Sequence, residues 1–519
     1  MKNTNTFLTS LASTAAEESI SITENGAVGN AQSGHSLTDF FFAVGSMRSW
    51  TKEDIQTKFS EVYAEDKERA LELMFFIRDC RGGQGEKRVF EAVFEWVIKN
   101  DPQSAVSLLS LVPEYGSWKS FFELTPYFLS ASAEVRSAAN DFFLKQWQED
   151  YDNLCNGKPI SLLGKWCPSE NASSNKTRKN AAVWRDVLGL TSKEYRKALS
   201  QRRAYLKVLE TKMSAGQWSE INYNQVPSKA GVLYRGAFHR HDEERYQQWI
   251  DDVKSGVEGA KINTGTLDCP TIVSKYCMKS GYWSYDLANA EDDTLEIAWK
   301  DMVKKGRELG INGFIPVVDG SGSMYSQIPD AGIMAYHVAA GLGLYFAAIN
   351  AEPWRGKVIE FGSHPRFYNV ATDGSLLNQL KVASKYSDCG TTNLEAVFDL
   401  VLQTAVRGHL KQDEIPGIII FSDCEFNMMC QHPTYHLMKG IANKYEAYGY
   451  KLPKLIFWNV NSRTNTIPLI QNDLGVGLLS GFNQSILKMV MTGKLDPYEI
   501  LIEQLDNPRY DLVRKALGQ

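Results

Sequence analysis

Residues 315–323 read IPVVDGSGS, an apolar run that ends in Asp-x-Ser-x-Ser. An apolar stretch that stops at a Gly-rich polar turn predicts a buried parallel strand, with Asp319, Ser321 and Ser323 on the loop at its carboxyl end. Open α/β sheets bind ligands at that end. One carboxylate and two hydroxyls supply only hard oxygen ligands, which suit Mg²⁺, Mn²⁺ or Ca²⁺ and suit Zn²⁺ or copper poorly. The loop is expected to be a divalent-cation site.

Such a site needs oxygens from other loops, and two later segments offer them. DCGTTNLEAVFDLV (388–401) puts a Gly-Thr-Thr-Asn turn at the start of an amphipathic helix, where Thr391 or Thr392 presents a hydroxyl. GIIIFSDCEF (417–426) is a second β-branched buried strand that ends in Asp423. Asp-x-Ser-x-Ser, then a Thr before a helix, then an Asp closing a strand is the order of the metal-ion-dependent adhesion site of von Willebrand factor A (vWA) domains, which this region resembles. The resemblance implies that Asp319, Ser321, Ser323 and Thr392 hold the metal, directly or through water, with Asp423 as an outer ligand. Thr392 is preferred over Thr391 because it matches the family's Gly-Thr-Asn or Gly-Thr-Asp pattern. The bland reading, a Ser/Gly turn of no function, would need three motifs in order by coincidence.

The chain has 519 residues, more than one core usually supports, so two or three domains are expected. It is 43% hydrophobic and 23% charged, ordinary for a globular chain. Its eight cysteines show no pairing pattern, which points to reduced thiols in a cytoplasm. The opening MKNTNTFLTSLASTAAEES is a poor signal peptide, so no export is expected. Residues 331–350 carry no formal charge and are long enough to cross a bilayer, yet they contain Gly332, Gly341, Gly343, His337 and Asn350. They are expected to form a core helix directly after the metal loop, and no membrane segment is expected.

Three parts follow along the chain. Residues 1–34 are rich in Ser, Thr, Ala, Asn and Gly and are expected to be a disordered tail. Residues 35–305 are dominated by helical patterns, among them 67–80, 86–100, 135–154 and 192–214. Short helices joined by short turns suggest a HEAT-like α-solenoid or ring. From 306 to 519 strands and helices alternate, which predicts a doubly wound parallel sheet. The expected fold class is therefore α+α/β, a helical repeat domain followed by an α/β domain.

The segments LMFFIRDCRGGQGEKRVF (73–90), GQWSEINYNQVPSKAG (216–231) and YRGAFHRHDEERYQQWI (234–250), followed by the metal-loop motifs, resemble a family of bacterial, viral and plant proteins related to the TROVE-vWA proteins, the Ro ribonucleoprotein class. The resemblance covers roughly residues 36–505. The better-known Ro relatives have a ring of helical repeats closed by a vWA domain, and bind small structured RNAs on a basic outer face and single-stranded RNA ends at the central hole. What the resemblance implies here is a TROVE-like repeat domain, a vWA domain and RNA binding.

The residues bear on that implication independently. Net charge is −5, which does not suggest nucleic acid. Between Lys165 and Lys207, however, 11 basic residues face 3 acidic ones. The candidates for RNA contact are Lys176, Arg178, Lys179, Arg185, Arg196, Lys197, Arg202, Arg203 and Lys207, with Trp184, Tyr195 and Tyr205 interleaved. Basic side chains neutralise phosphates and aromatic rings stack on unpaired bases. The competing reading is a solvated helix face whose aromatics lie in the core.

Weaker signals complete the picture. Arg81-Gly-Gly-Gln-Gly-Glu has the glycines of a phosphate loop but follows a helix and lacks the Gly-x-x-x-x-Gly-Lys spacing, so a turn between helices is expected, with Arg78, Arg81 and Arg88 as further candidates to face RNA. His239, Arg240 and His241 either touch RNA or sit on a polar surface. Cys430, His432 and His436 have zinc-ligand types without a fourth member, and local packing is the better reading. No Ser/His/Asp order, nucleophile elbow or Walker motif is present, and no enzymatic activity is expected. Two function classes remain. One is a Ro-like RNA-binding component acting in RNA quality control or storage. The other is a protein-interaction scaffold whose metal site takes a partner's Asp or Glu.

Overall fold

A computed structural model of the chain describes residues 20–22, 28–30, 33–279, 285–328, 333–362, 364–387, 390, 393–426, 437–462, 476–481, 484, 486–487, 489 and 496–518. The chain divides into two compact units. An α/β unit takes the described parts of Met1–Asp54, Ser60–Asp66 and Leu267–Leu505, and a helical unit takes Ile55–Phe59, Lys67–Thr266 and the described part of Asp506–Gln519.

The α/β unit is built on six strands: β1 (Phe314–Asp319), β2 (Lys357–Phe361), β3 (Arg366–Asn369), β4 (Gly417–Ser422), β5 (Leu455–Asn459) and β6 (Val476–Ser480). Their order in the sheet is β6-β5-β4-β1-β2-β3. All neighbours are parallel except β3, which runs antiparallel to β2. All six residues of β4 are buried, as a strand covered on both faces requires. The direction in which strands are added reverses between β1 and β4, the crevice where open α/β sheets place their ligands.

Alternation along the strands assigns the two faces. Ile315 and Val317, Ile418 and Ile420, and Leu455 and Phe457 share one core with Val397, Phe398 and Val401 of the Leu394–Arg407 helix and Ile441 and Tyr445 of the Leu437–Ala447 helix. The opposite face carries Val318 and Phe421 and meets the Ala335–Ile349 helix. A Cβ at Gly343 of that helix would lie 2.3 Å from Val318 Cγ2, and the Phe346 and Phe421 rings are 6.4 Å apart. All 15 residues of the helix are buried, as expected for a core helix. Among the described residues no helix is long and apolar enough to cross a membrane.

That uniformly apolar helix explains where the α/β unit begins. It needs cover on its outer sides, and the Cys269–Tyr276 and Asp293–Arg307 helices supply it. A Cβ at Gly341 would meet Val273 at 3.2 Å, and one at Gly306 would lie 2.2 Å from the Tyr345 hydroxyl. Residues 267–305, assigned from sequence to the helical domain, are thus compact with the sheet. The Ser36–Ala43 helix also joins this unit, where Asn459 Nδ2 donates to the Phe42 carbonyl at 3.0 Å and Gly45 N–H donates to Ser480 Oγ at 2.7 Å. Part of the expected disordered tail is ordered too: Ile20–Ile22 pairs antiparallel with Val28–Asn30.

In the helical unit the expected helices appear as Lys67–Arg78, Arg88–Asn100, Ala133–Cys155 and Ser192–Tyr205. The last is shorter than its pattern. Lys207 adopts φ 49°, a left-handed conformation that stops the helix, and a separate helix spans Leu209–Ser214. The core of the unit is aromatic: Trp184 packs 4.6 Å from Phe143 and 5.4 Å from Phe121, and its Nε1 donates to Thr125 Oγ1 at 2.9 Å.

Candidate functional site

Asp319 ends β1 and Ser422 ends β4, side by side at the switch in strand order. The Asp319 carboxylate is fully buried. Its Oδ1 accepts the Ser321 N–H at 2.9 Å and its Oδ2 accepts the Ser422 hydroxyl at 2.5 Å. The Ser321 and Ser323 hydroxyls lie 3.1 Å apart. A hydrogen bond of 3.0 Å from Gly322 N–H to the Gly390 carbonyl brings Gly390 against this turn. Thr391 and Thr392 themselves lie outside the described residues, as do Cys430, His432 and His436.

Asp423 is buried directly after β4 and accepts the Glu425 N–H at 3.3 Å. Two further carboxylates that the motif search missed belong to this end of the sheet. Glu425 is buried and accepts the Ser462 hydroxyl at 3.1 Å. Glu360 is the fourth residue of β2, and a Cβ at Gly320 would lie 2.3 Å from its Oε1, so only glycine lets the turn close over it. An acidic residue inside the apolar run KVIEFG was the available signal for Glu360. Ser422 stood next to the Asp that the pattern sought.

The electrostatics are those of anions removed from water. Burial pushes Asp319 up to about 6, against the pull of its serine hydrogen bonds. Cys424 is driven well above the usual thiol range by burial and then by Asp423, Glu425 and Asp319, which places all three carboxylates within electrostatic reach of one sulfur. Among the described residues no three His, Cys, Asp or Glu side chains are grouped to hold a metal. The donor set that fits a cation is instead Asp319 with the hydroxyls of Ser321 and Ser323, all hard oxygens. A cation there would offset the desolvation of Asp319.

The helical unit treats its basic residues unequally. Lys176, Arg178, Lys179, Arg196, Lys197 and Lys207 are exposed, as is Lys193. Arg202 is not a surface residue: it is 2% exposed, stacks 3.6 Å over the Trp147 ring, and donates to the Trp147 carbonyl at 3.1 Å. This corrects its assignment to RNA contact; a helix presents only part of its circumference to solvent, and position 202 falls on the inner part. Arg203 spends its guanidinium on the Gly164 and Cys167 carbonyls and the Ser169 hydroxyl, at 2.8–3.1 Å. Arg185 pairs with Glu170 at 2.8 Å and Asp186 at 2.7 Å. Arg78, proposed to face RNA, is buried and donates to Ser120 Oγ.

The aromatics divide in the same way. Trp184 and Tyr195 are in the core, as the competing reading held, and Tyr205 is exposed with its hydroxyl on the Lys158 carbonyl at 2.8 Å. Arg240 and His241 are exposed and His239 is half-buried. His241 stacks on Trp218, with centroids 4.5 Å apart and planes 12° apart, a pairing the sequence search did not find.

Comparison with known proteins adds the following. A family model described as Domain of unknown function (DUF2828) matches residues 23–141 and 174–311, and one described as Domain of unknown function (DUF7788) matches residues 314–509. Uncharacterized protein L728 of Acanthamoeba polyphaga mimivirus is 30% identical over 522 residues, spanning 94% of this chain and 87% of that protein. Among solved structures, the crystal structure of the Deinococcus radiodurans RO (RSR) protein superposes with a TM-score of 0.48 and 15% identity, over 90% of this chain and 100% of that one.

Proposed function

The chain belongs to the family of the mimivirus protein L728, and for this member of it we propose the role of a Ro-like, RNA-binding ribonucleoprotein component. In this reading the helical unit is a HEAT-like repeat array that holds RNA, and the α/β unit is a vWA domain with a divalent-cation site. No chemical step is assigned to it.

The observation that carries the RNA part is the exposed cationic face. Lys193, Arg196 and Lys197 stand at i, i+3 and i+4 of one helix and so share a side of it. Lys176 and Lys179 stand three apart on the preceding helix. Each amine or guanidinium there can displace a counterion from phosphate. The vWA reading is supported by the strand order, the antiparallel edge strand β3, and the Asp319–Ser321–Ser323 turn at the switch point. The cation expected is Mg²⁺, with Mn²⁺ or Ca²⁺ compatible. Bound at Asp319, Ser321, Ser323 and Thr392, directly or through water, with Asp423 as an outer ligand, it would supply an electrophilic point for an incoming oxygen.

The test is a filter-binding titration of the purified chain with structured and single-stranded RNA across a salt series. Affinity should fall steeply with salt, and Lys193→Glu with Arg196→Glu and Lys197→Glu should weaken it across many sequences. Unchanged affinity in that triple variant removes this face from the interface.

A second reading has one observation in its favour. Arg202 is consumed inside the fold and Arg203 and Arg185 in local pairs, which shrinks the cationic surface, whereas Asp319, Ser321 and Ser323 keep their oxygens at one turn. That favours a scaffold whose cation takes a carboxylate from a protein partner. EDTA separates the two, since RNA held by Lys and Arg should lose less than about threefold in affinity and a carboxylate partner should be lost altogether.

A further inference from the structure

The Arg81-Gly-Gly-Gln-Gly-Glu turn is the most glycine-dense motif that the proposed function leaves unused. Its glycines do not cradle a phosphate. They fold the turn back over the end of the Lys67–Arg78 helix, where Gly83 N–H donates to the Asp79 carbonyl at 3.1 Å and Gln84 N–H to the Phe76 carbonyl at 3.1 Å. A Cβ at Gly83 would sit 2.0 Å from the Phe76 carbonyl oxygen. A Cβ at Gly82 would come within 3.1 Å of Arg509 Cδ and Nε. The bare turn leaves room beside Asp79 and Arg509.

Arg509 belongs to the 506–518 segment, which is compact with the helical unit although the 239 residues Leu267–Leu505 of the α/β unit separate that segment from Thr266. Asp79 is fully buried, and Arg509 meets both of its oxygens, through Nε on one and through Nη2 at 2.8 Å on the other. Tyr510 donates its hydroxyl to the same carboxylate at 3.1 Å. About two helical turns further back, Arg514 donates to Glu72, also fully buried, whose other oxygen Arg69 holds at 2.7 Å. Tyr510 is itself 2% exposed and stacks on Tyr115 with planes 12° apart, and the Tyr115 hydroxyl donates to the Arg509 carbonyl at 2.6 Å. Two carboxylates seven residues apart thus receive two arginines five residues apart, with a tyrosine between them.

We propose that residues 506–518 are a releasable strap docked on the helical unit, and that the glycine turn at 81–86 is the receptor for its arginine. Without the strap, buried Asp79 would lose its arginine and keep its desolvation cost, whereas Glu72 would retain Arg69. The ligand class follows from the chemistry: a segment carrying Arg-Tyr, with a second Arg five residues after the first.

The experiment uses the full chain. Arg509→Ala with Arg514→Ala should release the strap. Amide exchange over residues 75–86 should then quicken by about tenfold or more while amides of β4 and β5 are unchanged. A fluorescein-labelled peptide of sequence 506–519 should bind this variant saturably and should not bind the wild-type chain, whose own strap is docked. Tyr510→Phe, which keeps the ring and removes one hydroxyl, should quicken the same amides to a smaller extent and covers the case in which the double variant does not fold. Unchanged exchange at 75–86 in both variants, or equal peptide binding to the variant and the wild type, overturns the proposal.

Discussion

The Ser422 hydroxyl at the end of β4 donates to Asp319 Oδ2 at the end of β1 over 2.5 Å, joining the two strands at which the sheet changes its direction of growth. One hydrogen bond therefore fixes the rotamer of the carboxylate on which the proposed cation site depends.

Asp319→Ala should abolish divalent-ion binding and leave the fold intact. A ligand that binds only the native state at about 100 times its Kd adds about 2.7 kcal/mol to stability, so saturating Mg²⁺ should raise the thermal midpoint of the wild type and not that of the variant. Isothermal titration with Mg²⁺ or Mn²⁺ is the direct check. Identical titrations of the two proteins would remove the assignment.

Arg202 should behave as a core residue. Arg202→Ala removes a guanidinium that stacks on Trp147 and leaves its carbonyl without that donor, at a cost of about 3 kcal/mol by denaturant unfolding. RNA affinity per folded molecule should not change. A large loss of affinity at unchanged stability would return Arg202 to the interface.

Asp79 sets part of the acid sensitivity. Burial would raise its pKa, but the hydrogen bonds and charge of Arg509 outweigh it and hold the carboxyl below the ordinary range. A group with a depressed folded pKa contributes stability that is present above its unfolded pKa and is lost as pH falls through the folded value. Unfolding followed from pH 7 into the acid range should show a shallower decline in Asp79→Asn, from a lower starting stability.

Gly343→Ala should destabilise the α/β unit by about 1–3 kcal/mol, because the added methyl would overlap Val318 across the helix–sheet contact. Chemical denaturation reads it. A neutral outcome would mean that the helix can shift away from the sheet.

Local pattern alone declares part of this fold. β-branched runs at 314–319 and 417–422 declare buried strands because a covered parallel strand has no polar face to present. The charge-free run at 331–350 declares a core helix for the same reason, and the order Asp319, Ser321, Ser323, Asp423 names oxygen donors at strand ends. Which side of an element faces inward, and which distant segment covers it, is settled by packing instead. Lysine and arginine look alike in a charge count, yet Lys197 is in solvent and Arg202 is stacked on Trp147, since a helix spreads five residues over more than one full turn. Glu360 reaches the turn at Gly320 through the register of β2 on β1, not through spacing. The 506–518 segment completes the helical unit because ion pairs with Asp79 and Glu72 form across more than 400 residues of chain, a separation that no local pattern encodes.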